Sequence, residues 1–277
     1  MEQCVGNNFI INNQLFSEDK FVFFRELQGF SIYEIVRVEL KVPLFLDDHL
    51  KRFYHSMELE ALRIREDSTS LEKQMDWLIR NNDFSKGKIK LIANFYNYPD
   101  SDSYNLLQFF TDYSFPEPSL YKTGVKAIIC KAVRKDPNAK VLNTEARKIA
   151  DQRIHGGKVY EAILVDSEGY ITEGSRSNFF GIKNDVIYTP PDDFVLQGIV
   201  RKKVLEICRE NSINYKIAPI HQDELVDFQS VFITGTTPKV LPVNQIDSLA
   251  FNVDHELLNR LMVKFNEKVI NYISNKK

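Results

Sequence analysis

Four stretches of this 277-residue sequence combine reactive residue types with spacings that suit a small phosphorylated ligand. Ala139-Lys140-Val141-Leu142-Asn143 places a lysine where a strand-rich segment gives way to a helix. A lysine amine condenses with an aldehyde in its neutral form, which a desolvated pocket or a nearby cation favours. Glu173-Gly174-Ser175-Arg176-Ser177 offers a carboxylate to a heteroaromatic nitrogen, and its small residues let the main chain approach a flat ring. Gln197-Gly198-Ile199-Val200-Arg201 opens a helix, whose first N–H groups lack intrahelical acceptors and suit a phosphate. Thr234-Gly235-Thr236-Thr237-Pro238 follows a strand and supplies hydroxyl and amide donors for a phosphate or a carboxylate. Each pattern alone also fits a purely structural role: an exposed lysine, a polar turn, a glycine N-cap and a Thr/Gly turn.

Composition limits the alternatives. Lys and Arg number 36 against 38 Asp and Glu, a net charge of −2. That balance gives no global electrostatic basis for binding nucleic acid or an anionic membrane, so any bound anion must be held locally. No Gly-rich run ends in Lys-Ser/Thr, and a nucleoside triphosphate is not implied. Cys4, Cys130 and Cys208 are far apart, and only five His are present, so neither a zinc spacing nor a disulfide framework is expected. The first residues lack the basic-then-apolar order of a signal peptide, and no apolar run approaches the roughly 18–20 residues of a membrane helix. A cytoplasmic protein is expected.

The elements that must position these residues read as α+β. Aromatic and β-branched residues predict strands at 21–27 and 32–40. Asp47-Asp48 is read as the cap of a helix with Leu50, Phe53, Tyr54 and Met57 on one face, and Thr69 with Glu72 as the capping box of a second. Strands at 89–96 and 104–111 follow, joined by a polar turn at 99–102. The two prolines of Ser114-Phe115-Pro116-Glu117-Pro118-Ser119 mark a linker. Beyond it come a strand at 125–133, a helix at 143–155 stopped by Gly156-Gly157, and a hairpin at 160–172. A second hairpin turns at Asn184-Asp185; a helix at 198–211, strands at 214–217 and 230–233 and a helix from Asp254 complete the chain. Two domains are expected, 1–118 and 119–277.

Order and spacing together resemble the class IV aminotransferases, the fold-type IV pyridoxal-phosphate enzymes. These comprise branched-chain and D-amino-acid aminotransferases and aminodeoxychorismate lyases. The similarity runs from Tyr33-Glu34-Ile35-Val36-Arg37 to Pro242-Val243. It is strongest from Lys140 to Thr237, where Glu161-Ala162-Ile163-Leu164-Val165-Asp166 leads through Glu173-Gly174 to Tyr188-Thr189-Pro190-Pro191. The resemblance implies a smaller N-terminal α/β domain, a larger C-terminal pseudo-barrel domain that binds pyridoxal 5'-phosphate, and a homodimer. By position, Lys140 matches the lysine that forms a Schiff base with the cofactor, and Glu173 the carboxylate that keeps its pyridine nitrogen protonated. Arg52, Ile199, Val200 and Thr236 match the phosphate-binding positions, Ser177 a small residue beside the ring, and Tyr33, Arg37 and Thr237 the substrate side. Lys131, Lys135, Lys148 and Lys158 are rivals to Lys140, which is preferred because Lys-x-Leu-Asn, 33 residues before Glu173, fits the family pattern.

The chain departs from that pattern at three places. Val200 stands where relatives carry a threonine, a loss of roughly 1 kcal/mol of hydrogen bonding to the phosphate. Glu26-Leu27-Gln28-Gly29-Phe30-Ser31 replaces a Gly-Asp-Gly-like turn before Tyr33. The strand from Lys88 to Tyr96 has no arginine for a substrate carboxylate. The resemblance implies transamination between an amino acid, branched-chain-like or D-configured, and a 2-oxo acid. Pyruvate elimination from aminodeoxychorismate and a non-catalytic cofactor-binding relative remain alternatives.

Overall fold

The computed structural model describes residues 2–99, 103–112, 114–142, 144–155 and 159–276. They form two compact units. The first comprises Met1–Ser114, Ala139–Leu142 and Asn271–Lys277, and the second Phe115–Asn138 and Asn143–Ile270. The division thus falls at residue 114 rather than 118, and the segment carrying Lys140 belongs with the first unit.

The first unit is built on β1 (Cys4–Ile11), β2 (Gln14–Ser17), β3 (Phe30–Glu39), β4 (Val42–Pro43), β5 (Lys86–Phe95) and β6 (Asn105–Thr111). They pair antiparallel in the order β2-β1-β6-β5-β3-β4. Side chains alternate across each strand. Ile32, Val36 and Val38 of β3 pack toward α1 (Leu46–Leu59) and α2 (Ser68–Arg80), whose Phe53, Met57 and Leu71 belong to the same core. Tyr33 and Ile35 face the other side, with Phe9, Ile92 and Phe109. Leu142 packs on that second face. Val141 pairs with Ile32 at the β3 edge that β4 occupies farther along.

Three local expectations need correction in this unit. Residues 18–24 form a 3-10 helix, not a strand. Phe21 and Phe24, three apart, both reach the Phe9 ring at 5.1 and 5.8 Å, while Phe23 is left 79% exposed. That is the three-per-turn spacing of a 3-10 helix rather than strand alternation. Helix α1 is entered through Phe45 in the left-handed conformation, so Asp47 and Asp48 lie in its first turn instead of capping it. The cap of α2 is Asp67, whose side chain accepts from Ser70 N–H at 2.8 Å, so the helix starts ahead of Thr69. The turn expected at 99–102 lies largely outside the described residues.

The second unit contains α3 (Leu120–Thr123), β7 (Val125–Lys131), α4 (Glu145–His155), β8 (Glu161–Val165), β9 (Ile171–Gly174), β10 (Asn178–Lys183), β11 (Val186–Thr189), α5 (Ile199–Glu210), β12 (Tyr215–Ile217), β13 (Ser230–Gly235), β14 (Lys239–Ile246) and β15 (Leu249–Ala250). The strands run β12-β11-β10-β13-β14-β7-β8-β9, with β15 on β14. Only three residues link β9 to β10, and Gly174 N–H donates to the Ser177 carbonyl at 2.8 Å. The last strand of the path is therefore tied back to its third, as a pseudo-barrel requires. Phe179, Val231, Ile233 and Leu241 fill the core on one face. The β10–β11 turn takes Asn184 and Asp185 to φ 51° and 57°, the paired left-handed geometry that Asn-Asp tolerates in a two-residue hairpin. Asn143 and the Gly156-Gly157 stop lie outside the described residues. A final helix, α6 (Glu256–Lys276), contributes its last turns to the first unit, where the Tyr272 hydroxyl accepts from Leu46 N–H at 3.2 Å.

Candidate active site

In the first unit, main-chain bonds on both sides fix the position of Lys140. Its carbonyl accepts from Tyr33 N–H at 3.1 Å, its N–H donates to the buried Ser56 hydroxyl of α1 at 3.1 Å, and Leu142 N–H donates to the Ser31 carbonyl. The lysine ammonium lies 4.9 Å from the centre of the Tyr33 ring, a cation–π distance. Of its sequence rivals, Lys131, Lys135 and Lys148 are exposed, and Lys158 is outside the described residues.

Arg52 sits one turn after His49 on α1, and both side chains meet Glu34 of β3. The arginine donates through Nε to Glu34 Oε1 at 2.7 Å and through Nη2 to Oε2 at 2.8 Å; His49 Nδ1 lies 2.8 Å from Oε2. Glu34 is fully buried. Burial raises its pKa, but the Arg52 charge and the hydrogen bonds from Arg52 and His49 outweigh this, holding the carboxyl well below the ordinary range. His49 is pushed below its ordinary value, first by burial and further by the Arg52 and Lys140 charges, against the opposing pull of Glu34. Arg37, expected on the substrate side, is buried on β3 and donates to Glu39 at 2.7 Å.

In the second unit, Glu173 lies in β9, next to its last residue, with its carboxylate buried. Oε1 takes the Arg134 guanidinium at 3.1 Å and Oε2 the Leu196 N–H at 3.1 Å. The Leu196 carbonyl in turn accepts from Asn178 at 2.7 Å, and Asn178 pairs in register with Thr234. Glu173, the start of α5 and the end of β13 are thereby brought together. Arg201, in the first turn of α5, locks that start through Asp192 at 2.6 Å and the Pro190 carbonyl at 2.9 Å.

Gly198 is the N-cap of α5 and supplies no side-chain cap to the N–H groups that follow. A Cβ there would lie 1.9 Å from Asn178 Oδ1. Gly198→Ala is therefore expected to cost about 1–3 kcal/mol, read as a lower unfolding midpoint, because Asn178 is anchored and has no room to yield. Thr236 and Thr237 form the β13–β14 turn, and the fully buried Thr234 hydroxyl beside it has no hydrogen-bond partner among the described residues. Ser177 does not simply flank an open space. Its hydroxyl donates to Glu161 at 2.7 Å, and Ser175 donates to the same carboxylate at 2.6 Å. Gly174 is required at this turn, since a Cβ would fall 2.1 Å from Ser177 Oγ.

Sequence reasoning had not assigned roles to Glu34, His49, Arg134 and Glu161. The i, i+3 spacing of His49 and Arg52 was the available signal for the first pair, since it puts both on one helix face. Arg134 carried no comparable signal.

Comparison with known proteins is consistent across sequence and fold. The family model described as "Amino-transferase class IV" matches residues 31–246. The D-alanine aminotransferase of Bacillus licheniformis is 33% identical over 226 residues, covering 79% of this chain and 80% of that protein. The branched-chain-amino-acid aminotransferase of Pseudomonas aeruginosa is 37% identical over 99 residues, 36% of this chain and 32% of its own length. Among solved structures, the branched-chain aminotransferase of the thermophilic archaeon Thermoproteus uzoniensis, with norvaline, superposes with a TM-score of 0.84. It covers 96% of this chain and 96% of its own at 20% identity.

Proposed function

The chain belongs to the class IV aminotransferase family, and on that premise we propose that it uses pyridoxal 5'-phosphate to move an amino group from an amino acid to a 2-oxo acid. The 33% identity to a D-alanine aminotransferase makes D-alanine the first donor to test. The observation that carries the reading is Glu173: a buried carboxylate paired with the Arg134 guanidinium and a main-chain N–H suits a pyridine nitrogen that must hold its proton.

The residues present fit the cofactor. The uncapped N–H groups of Ile199 and Val200, the Thr236 hydroxyl in the adjacent turn and the unsatisfied Thr234 hydroxyl beside it are the donor set an anion needs. Val200 contributes only its main-chain N–H where relatives add a hydroxyl. In the first unit, Arg52, matched by resemblance to a phosphate-binding position, has its guanidinium plane held by Glu34. Ser177 holds the turn after Glu173 through Glu161. Tyr33, Arg37 and Thr237 are assigned to the substrate side.

Pyridoxal 5'-phosphate, when bound, supplies an aldehyde for the amine and a protonated ring that accepts an electron pair. Lys140 Nζ takes the proton from the amino acid's Cα and holds it for return, one base serving both directions of transfer. Its fixed main chain limits the search of that amine to side-chain rotation. Glu173 keeps the ring nitrogen protonated throughout. The reading includes a cytoplasmic homodimer. Among the described residues no helix is long and apolar enough to cross a membrane, and the three thiols are buried and unpaired.

The test begins with colour. Purified protein given pyridoxal 5'-phosphate should turn yellow, and borohydride should fix the cofactor to Lys140 in a peptide map. D-Alanine or a branched-chain donor with 2-oxoglutarate should then yield the matching 2-oxo acid. A protein that takes up no cofactor, or one that releases pyruvate only from aminodeoxychorismate, overturns the assignment.

A further inference from the structure

One buried cation on the Tyr33 face of the first unit has a partner that is itself a carboxylate, on a residue outside the sheet ladder. Lys90 lies on β5, opposite Ile35, on the same sheet face as Tyr33 and Ile92. It is only 8% exposed, and its ammonium lies 5.2 Å from the centre of the Tyr33 ring that the Lys140 ammonium approaches at 4.9 Å. Those two distances cap the separation of the ammonium groups at 10.1 Å, within the span of one small dicarboxylic acid and the amine it reacts with. The Glu2 carboxylate pairs with Lys90.

The two partners are held very differently. Lys90 belongs to a ten-residue strand bonded on both edges, to β3 and β6. Glu2 precedes β1, outside the sheet ladder, and its main-chain N–H donates to the Arg25 carbonyl. A buried ammonium is costly without a counter-charge, but replacing one carboxylate by another leaves the charge count unchanged. The cation is thus anchored by a strand paired on both edges, and the anion by one main-chain bond and the ion pair itself.

We propose that Glu2 is a built-in stand-in for a substrate carboxylate, and that a carboxylate of the 2-oxo acid or amino acid displaces it from Lys90 during binding. The inference rests on the transaminase reading for the identity of the ligand, while the exchange site stands on the Glu2–Lys90–Tyr33 geometry.

Glutarate, a dicarboxylate without a reactive oxo group, is the direct probe, titrated calorimetrically into the holoenzyme. Glu2→Gln should tighten glutarate binding by about threefold or more, and Lys90→Met should weaken it by about tenfold, the scale of one charge-assisted hydrogen bond. Lys90→Arg, which keeps the charge and the fold, should bind within about threefold of the parent. In turnover, Glu2→Gln should lower the KM for 2-oxoglutarate with little change in kcat, the signature of altered uniform binding. If the KM for pyruvate falls equally, the carboxylate next to the reacting carbon uses Lys90; if only 2-oxoglutarate responds, the distal one does. Glutarate affinity and both KM values indifferent to Glu2→Gln and Lys90→Met would overturn the exchange. Lys90-dependent glutarate binding in a protein that transaminates no donor would instead overturn the transaminase reading and leave the exchange site standing.

Discussion

Lys140→Ala should remain folded, lose transamination by about 10³-fold or more, and retain no cofactor after borohydride treatment. The fold is expected to persist because main-chain contacts that place residue 140 do not depend on its side chain. Tyr33 N–H to the Lys140 carbonyl, Lys140 N–H to Ser56, and the Val141–Ile32 bridge all survive truncation to alanine. The side-chain loss removes a cation–π contact of order 1 kcal/mol, too little to unfold the first unit. Activity loss without stability loss is therefore the discriminating pattern. Lys148→Ala provides the control: that lysine is exposed on α4 and should leave both properties unchanged. A Lys140→Ala protein that still fixes cofactor would move the covalent attachment to another lysine and remove the basis of the mechanism.

How much of this was legible in the sequence depends on the range of the determining contacts. The Asn184-Asp185 hairpin, the Gly198 helix start and the strand at 230–235 follow from local turn chemistry and side-chain pattern, and the structure contains them. The strand expected at 21–27 is not formed, because strand-like composition is outweighed by two rings converging on Phe9, a contact distant in sequence. The start of α2 was missed by one residue type: Asp67 competes with Thr69 for the cap and wins by reaching Ser70 N–H. The placement of Lys140 in the first unit was invisible for a similar reason. A four-residue segment, Ala139–Leu142, has no periodicity to read, and only its pairing with β3 reveals where it goes. Glu173 and Gly198 could be singled out as candidates from type and spacing alone. Their supports, Arg134 and Glu161, could not, because a residue that orients another leaves no local pattern.

The largest stability effect is expected at Glu34. Glu34→Ala removes the shared acceptor of Arg52 and His49 and leaves a guanidinium, only 9% exposed, without its paired carboxylate. Breaking a buried ion pair from one side costs about 3–5 kcal/mol, far more than the pair itself contributes net, because the remaining buried charge loses its main counter-charge. The pH dependence supplies a second, sharper readout. The folded-state pKa of Glu34 lies below its ordinary value of 4.5. Its contribution to stability is thus present above about pH 4.5 and is lost as pH falls toward the folded-state pKa. The gap between parent and Glu34→Ala should stay constant from neutral pH to about 5 and narrow below that. His49 adds a slope of the same sign in the parent: with its pKa lowered from 6.5, the unfolded chain binds more protons below that pH, so stability rises with pH through that window. Because Glu34 takes both Nε and Nη2 of Arg52, the variant should also let the guanidinium rotate and weaken retention of pyridoxal 5'-phosphate, measured by dialysis, while Lys140 remains competent to be trapped at saturating cofactor. A Glu34→Ala protein as stable as the parent, with unchanged cofactor retention, would mean that Arg52 is held by its other contacts and that the Glu34 pair is dispensable to its placement.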